Sequence, residues 1–489
     1  MRLSKSQYIR GLQCPKSLWL YRYRPEVRTL PDAGLLARFR SGADVGELAW
    51  ELFPGGETIV FDHARIAENI DRTLELILAG ARTIYEAAFL HDDVLVMVDI
   101  LHRGESGWEL YEVKSATEVK DVHLDDAAIQ HYVVGGSGLD VAAAALVHIN
   151  NRYVRQGPLD IRSLFTVVPV TDITLAKQND VKAELERLKG AVAPGAPMPA
   201  RDIGPHCLDP YECDFKAHCW AHVPEPSVFS LTRMPTARKF ELYSRGIVHF
   251  GQLPPGLWLT AAQRMQVEAE LHGRQFVDRQ RIREFLAAIR EPAGFLDFET
   301  FMQAVPGFDN QRPYQQVPFQ YSLHLRRGER LEHYSYLAEA GIDPRLEFTE
   351  RLLRDTSDCA VILVYNLSFE RRILEDLADL FPRHGAGIRS VIERLIDLMT
   401  VFRDRSCYLR AMNGSYSIKK VLPALCPEMG YDALSIGDGD MAMNAFAALR
   451  GMTDPGEIEQ VRADLLAYCR QDTLAMVEIV GRLEQMARG

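Results

Sequence analysis

The chain has 489 residues, 47% apolar and 25% charged, with 56 Lys and Arg against 67 Asp and Glu. That length exceeds what one compact core accommodates, so two or three domains are expected; the formal charge of −11 removes any global attraction to nucleic acid and leaves that task to local basic surface. No apolar run has the length of a signal peptide or a membrane span, and eight cysteines are too sparse for a disulfide scaffold, which predicts a cytoplasmic protein with reduced thiols and no membrane partner.

Residues 2–24 hold six Lys or Arg and no acid, interleaved with aromatics. Such a stretch suits a path for single-stranded nucleic acid, and equally a set of aromatics packed in a core. Cys14 stands alone within it. Residues 94–117 read as strand, turn and strand. Asp99 ends the first, and Glu112 and Lys114 share a face of the second because strand residues i and i+2 point the same way. An acid followed by Glu-x-Lys lets carboxylates hold Mg²⁺ or Mn²⁺ while the lysine favours deprotonation of an attacking water or neutralises phosphate. The same alternation also describes a solvated strand face.

Gln130 and Tyr132 follow in DDAAIQHYVV, and Glu86 is a further carboxylate in IYEAAF without an assigned role. The Pro- and Gly-rich residues 192–206 form an irregular connection. Cys207, Cys213 and Cys219 then cluster beside His206 and His218, whereas Cys359, Cys407, Cys426 and Cys469 lie in apolar surroundings and read as core cysteines. Pro-bearing turns and short amphipathic helices over 223–290 predict a small helical bridge.

From residue 293, three strand signals, a helix and a further strand give the opening order of an RNase H-like α/β domain. GFLDFETFMQ sets Asp297 and Glu299 on one strand face beside a hydrophobic core, where unpaired charge is costly unless divalent ions compensate it. Glu370 falls in the first turn of a helix that follows Asn366. A last helix, with Asp454 as N-cap and Pro455 in its first position, carries Tyr468 and Asp472 four residues apart on one face.

LDFET, YNLSFE and YCRQD resemble, in order, the three exonuclease motifs of the DEDD (DnaQ-like) superfamily in its tyrosine branch. The resemblance implies an RNase H-like fold over 291–489, with Asp297, Glu299, Glu370 and Asp472 as ligands for Mg²⁺ or Mn²⁺ and Tyr468 orienting the attacking water. Glu370 departs from the Asp of most members. Asp99, Glu112 and Lys114, with Gln130 and Tyr132, resemble RecB-like nucleases of the PD-(D/E)XK class. This implies a restriction-endonuclease-like fold over 1–222, a glutamine motif at Gln130 and Tyr132, and Glu47 as an early helical metal ligand where many members carry His.

Cys14 with Cys207, Cys213 and Cys219 resembles the cysteine layout of AddB-type and CRISPR-adaptation nucleases and implies a [4Fe–4S] cluster. Five residues separate the first pair of the triplet where two are common, and Zn²⁺ is the alternative. The whole chain resembles a bacterial family that fuses both domains. The implied function is hydrolysis of DNA with single-stranded ends at two active sites, in repair or defence. The alternatives are one active site with the other domain as a nucleic-acid clamp, or an exonuclease directed at RNA.

Overall fold

The computed structural model describes residues 2–60, 62 and 64–488. The chain is mixed α/β and divides into unit 1, Met1–His222 with Gln303–Gln315, and unit 2, Val223–Met302 with Gln316–Gly489. The expected bridge at 223–290 is not a body of its own. It belongs to unit 2, where Val228, Leu231, Leu242 and Phe250 form a small cluster and Ala269 and Ile282 join the larger core. Residues 303–315, expected within the C-terminal domain, belong to unit 1. There Ala304, Val305 and Tyr314 pack with Tyr85 and Ile149, and the Tyr314 hydroxyl donates to the Ser115 carbonyl at 2.6 Å. Pro306, Gly307, Asn310 and Pro313 punctuate this excursion, so no periodicity announces what it packs against.

Unit 1 contains β1 (Leu3–Ser4), β2 (Glu57–Thr58), β3 (Thr83–His91), β4 (Val94–Arg103), β5 (Trp108–Lys114), β6 (Val141–Ile149) and β7 (Phe165–Pro169). Among the described residues they form a seven-stranded sheet in the order β2-β3-β4-β5-β6-β7, with β1 beside β4. β5 and β6 run parallel and are joined through the helix Asp121–Gly136, which buries Ala127, Ala128 and Val133 in the sheet's core cluster. Two irregularities shape the sheet. β4 and β5 pair only over Ile100–Arg103 and Trp108–Tyr111, and beyond this β5 continues with β6 alone. The strands part at Asp99, which lies inside β4 rather than at its expected end. In addition, β3 and β4 keep one register from Tyr85↔Ile100 to Ala87↔Val98, but Glu86 and Asp99 between them do not pair, and Glu86 takes a left-handed φ of 57°.

Unit 2 contains β8 (Phe276–Val277), β9 (Ala293–Phe301), β10 (Val317–Arg327), β11 (Arg330–Leu337), β12 (Val361–Val364), β13 (Leu395–Asp397) and β14 (Cys407–Tyr408). Five of these form a sheet in the order β11-β10-β9-β12-β13. β10 is antiparallel to β9 and β11, and β12 runs parallel to β9 and β13. β8 and β14 make a separate antiparallel pair.

The helix Pro455–Arg488 buries Met476, Ile479, Val480 and Leu483 with β9 and β12 residues. Its start is fixed as expected, because the Asp454 carboxylate accepts the N–H groups of Gly456 and Glu457 at 2.8 and 2.9 Å. No helix among the described residues is long and apolar enough to cross a membrane.

Candidate functional site

In unit 2, β9 is the middle strand, so alternation turns Phe298 into one apolar layer and Asp297 and Glu299 to the opposite face. Among the described residues, the one group of three or more Asp, Glu, His or Cys donor atoms lying within 4.8 Å of one another is Asp297, Glu299 and Cys469. Cys469 is fully buried, as expected of a core cysteine, and its thiol approaches the Asp297 carbonyl at 3.8 Å. One helical turn on, the Asp472 carboxylate accepts the Tyr431 hydroxyl at 2.6 Å, and Tyr468, four residues earlier on the same helix, lies close enough for Asp472 to act on its hydroxyl.

Glu370 arrives from the other side. Asn366 takes a left-handed φ of 87°, which lets the chain turn from β12 straight into the helix Leu367–Leu380 and brings Glu370 under the sheet. Glu370 is 1% exposed, and its Oε2 is buried without a hydrogen-bond partner.

The electrostatics of these acids are adverse. Burial, and then Asp472, push the Asp297 carboxyl well above the usual range. Burial followed by Asp297 does the same for Glu299 and Glu370, and burial raises Asp472 to about 6. The Lys419 ammonium favours the ionised forms of Asp297, Glu299 and Asp472 without overcoming burial. Beside Glu299 opens a cleft of about 380 Å³ lined by Thr300, Gln316, Phe369, Asp438 and Met443 among others.

In unit 1 the parting of β4 and β5 makes the site. The Asp99 carboxylate fills the gap and accepts the Val113 N–H at 2.6 Å. Glu112 is 3% exposed; its Oε1 accepts from Lys5 at 2.6 Å and Lys114 at 2.7 Å, and its Oε2 accepts from Gln130. Lys114 also reaches Asp126 at 2.5 Å. Burial opposes the charge on Glu112, yet the two ammonium groups hold its carboxyl below the usual range. Burial and then Glu112 push Asp99 well above it.

Glu86, on its left-handed backbone, lies in the same field. Burial raises its carboxyl to about 7, with Lys5 opposing and Glu112 and Glu47 adding to the rise. Glu47, exposed on the helix Ala33–Ala49, is therefore close enough to act on Glu86.

One expectation needs correction here. Tyr132 does not join Gln130, because residues two apart on a helix diverge by about 200°. Its hydroxyl donates to Asp92 at 3.2 Å and its ring lies 5.5 Å from His91, at the β3–β4 turn. The basic, aromatic residues 2–24 are largely consumed within unit 1. Trp19 and Tyr23 pack on the core and donate to the Ala196 and Val192 carbonyls. Arg10 makes a two-pronged pair with Asp214, and Lys5 enters the acid site.

Cys14, Cys207, Cys213 and Cys219 line one small cavity together with Lys16, Arg201 and His206. Gln13 joins the two parts of this wall by donating to the His206 and Tyr211 carbonyls at 2.8 and 2.7 Å. His218 is exposed and is not among the lining residues.

Sequence reading missed Lys5, Asp126, Lys419 and Tyr431. Lys5 lay in a stretch whose aromatics suggested another use. Tyr431 sits in an irregular loop with no pattern to mark it, and Asp126 is one of two adjacent acids on a helix.

Residues 294–417 match the family model described as Domain of unknown function (DUF2779). That segment contains Asp297, Glu299 and Glu370 and ends before Lys419 and Tyr468. An uncharacterized protein of Mycoplasma genitalium, MG366, is 27% identical over 206 residues, covering 38% of this chain. The chain spans 31% of the length of that relative.

Proposed function

We propose that the protein is a divalent-metal-dependent nuclease with one hydrolytic site in each unit, acting on DNA with single-stranded ends. The observation that carries this reading is the unit 2 acid set: Asp297, Glu299, Glu370 and Asp472 come from three elements and repel one another in a water-poor setting. One oxygen of Glu370 has no partner at all. An unsatisfied buried polar group costs about 1–3 kcal/mol, and more when charged. The strand order β11-β10-β9-β12-β13 supports an RNase H-like fold, and the parted β4–β5 pair supports a PD-(D/E)XK-like one.

Asp297, Glu299, Glu370 and Asp472 would hold Mg²⁺ or Mn²⁺ in unit 2, and Asp99, Glu112, Glu86 and Glu47 in unit 1. Bound there, divalent ions supply charge neutralisation at the phosphate and favour ionisation of the attacking water. Tyr468, one helical turn before Asp472, orients that water. The cleft beside Glu299, with the Phe369 ring in its wall, receives the terminal nucleotide. In unit 1, Gln130 fixes the rotamer of Glu112 and Lys114 presents a positive charge to the phosphate.

We read the cysteine cavity as the seat of a [4Fe–4S] cluster, with Zn²⁺ as the alternative. Lys16 and Arg201 in the wall offset the negative charge of a thiolate-bound cluster.

End-labelled single- and double-stranded DNA incubated with Mg²⁺ or Mn²⁺ tests the proposal. Stepwise loss from 3′ ends should vanish in Asp297→Asn and persist in Lys114→Ala. If no divalent ion supports cleavage, the reading is wrong. A second reading has one specific observation in its favour: both oxygens of Glu112 are already engaged, Oε1 by the ammonium groups of Lys5 and Lys114 and Oε2 by the Gln130 amide. Unit 1 would then act as a nucleic-acid clamp, and Asp297→Asn alone would remove every activity.

A further inference from the structure

We propose that Lys419 is a catalytic residue of the unit 2 site, its ammonium holding the scissile phosphate against the metal-bearing carboxylates; this rests on the nuclease reading above. Lys419 lies in the first turn of the helix Ile418–Leu425. Its Nζ stands 5.4 Å from the ring centre of Tyr468 and 5.7 Å from that of Tyr431. Tyr431 is the tyrosine that bonds Asp472, and the Tyr468 ring lies 6.4 Å from that of Tyr431. Its charge acts on Asp297, Glu299 and Asp472 together. A lysine offers three N–H donors, and the Gly437 carbonyl, at 2.7 Å, takes one of them.

That bond anchors the ammonium from behind. Gly437 precedes Asp438, the N-cap of the helix Gly439–Ala448, and a side chain at Gly439 would stand 3.7 Å from Glu299 Oε2. Lys419 is thus held between the tyrosines and the segment that walls the cleft, with donors left for a ligand.

Charge counting gives the reason for a cation here. Two divalent ions would cancel the four carboxylates and leave the site neutral. A phosphodiester brings one negative charge, and its transition state gathers another. Lys419 makes the loaded site positive, so it attracts the diester and gains most where charge develops. Before metal arrives, the same ammonium partly occupies the field that a metal ion would enter.

Opposite effects on metal and rate separate this role from a merely structural one. Lys419→Met should bind Mn²⁺ several-fold more tightly by electron paramagnetic resonance titration, because a competing cation is gone. Its 3′-end degradation should fall by about 10²–10³-fold, the range for losing one group that stabilises developing charge. Lys419→Arg should recover part of the rate. Loss of Mn²⁺ affinity in parallel with rate, or a Lys419→Met rate within about threefold of wild type, would overturn the assignment. Wild-type protein without any nuclease activity would overturn the nuclease reading itself and this inference with it. An active wild type beside an equally active Lys419→Met protein would overturn the inference alone.

Discussion

Replacing Glu86 with glutamine isolates the cost of keeping one carboxylate in the unit 1 site. Burial raises this carboxyl from 4.5 to about 7. At about 1.4 kcal/mol for each tenfold change in proton affinity, the full difference is about 3 kcal/mol. The folded pKa lies above the unfolded one, so the protonated form is the one the fold favours. Its contribution is fully present below pH 4.5 and is lost as pH rises through 7. Glu86→Gln cannot ionise. In EDTA it should be about 3 kcal/mol more stable than wild type at pH 8, and within about 1 kcal/mol of it at pH 5.

Urea unfolding followed by tryptophan emission reads this out, because Trp19, Trp50, Trp108 and Trp220 lie in unit 1 and Trp258 in unit 2. Added Mg²⁺ should shrink the advantage at pH 8 by favouring the ionised carboxylate. A gain equal at both pH values, or a loss at pH 8, would refute the placement of Glu86 in the acid field.

Gln130→Ala frees Glu112 Oε2 and should lower Mn²⁺ affinity of unit 1 by about 10–100-fold, while Tyr132→Phe should leave it unchanged and cost less than about 1 kcal/mol; metal titration and urea midpoints check both. Burial, aided by His333 and Arg470, lowers His324 from 6.5 to about 4. Its neutral form donates or accepts at Thr473 at 2.8 Å, so stability should be lost as pH falls from 6.5 through 4, by about 3 kcal/mol at most. In His324→Gln that part of the acid unfolding profile should flatten. Wild-type protein prepared without oxygen should be brown and hold iron. Cys14→Ala should be pale and less stable, and stoichiometric zinc in colourless wild type would contradict the cluster.

Strand alternation made Asp297 and Glu299 legible, and helix spacing did the same for Tyr468 and Asp472, because both rest on local geometry. Asp454 and Pro455 marked the last helix for the same reason. What stayed hidden depends on non-local events. Glu86 turns on a left-handed backbone inside β3, where its pairing with Asp99 is missing, and no residue pattern marks that. Lys5 reaches Glu112 only because β1 pairs with β4 and because Ser4 and Gln7 cap the first helix, fixing its direction. Tyr132 was grouped with Gln130 by proximity in sequence, although a helix sends the two side chains to different faces. Residues 303–315 were assigned to the wrong unit because a loop's packing partner leaves no periodic trace.

Counting bound Mn²⁺ by electron paramagnetic resonance in four proteins tests most directly whether the buried acids are metal sites. These are wild type, Asp99→Asn, Asp297→Asn and the double variant. Wild type should bind Mn²⁺ tightly, each single variant should lose a separate share, and the double variant should bind none of it. Mn²⁺ binding that is absent from wild type, or that survives intact in the double variant, would contradict the assignment of both acid sets.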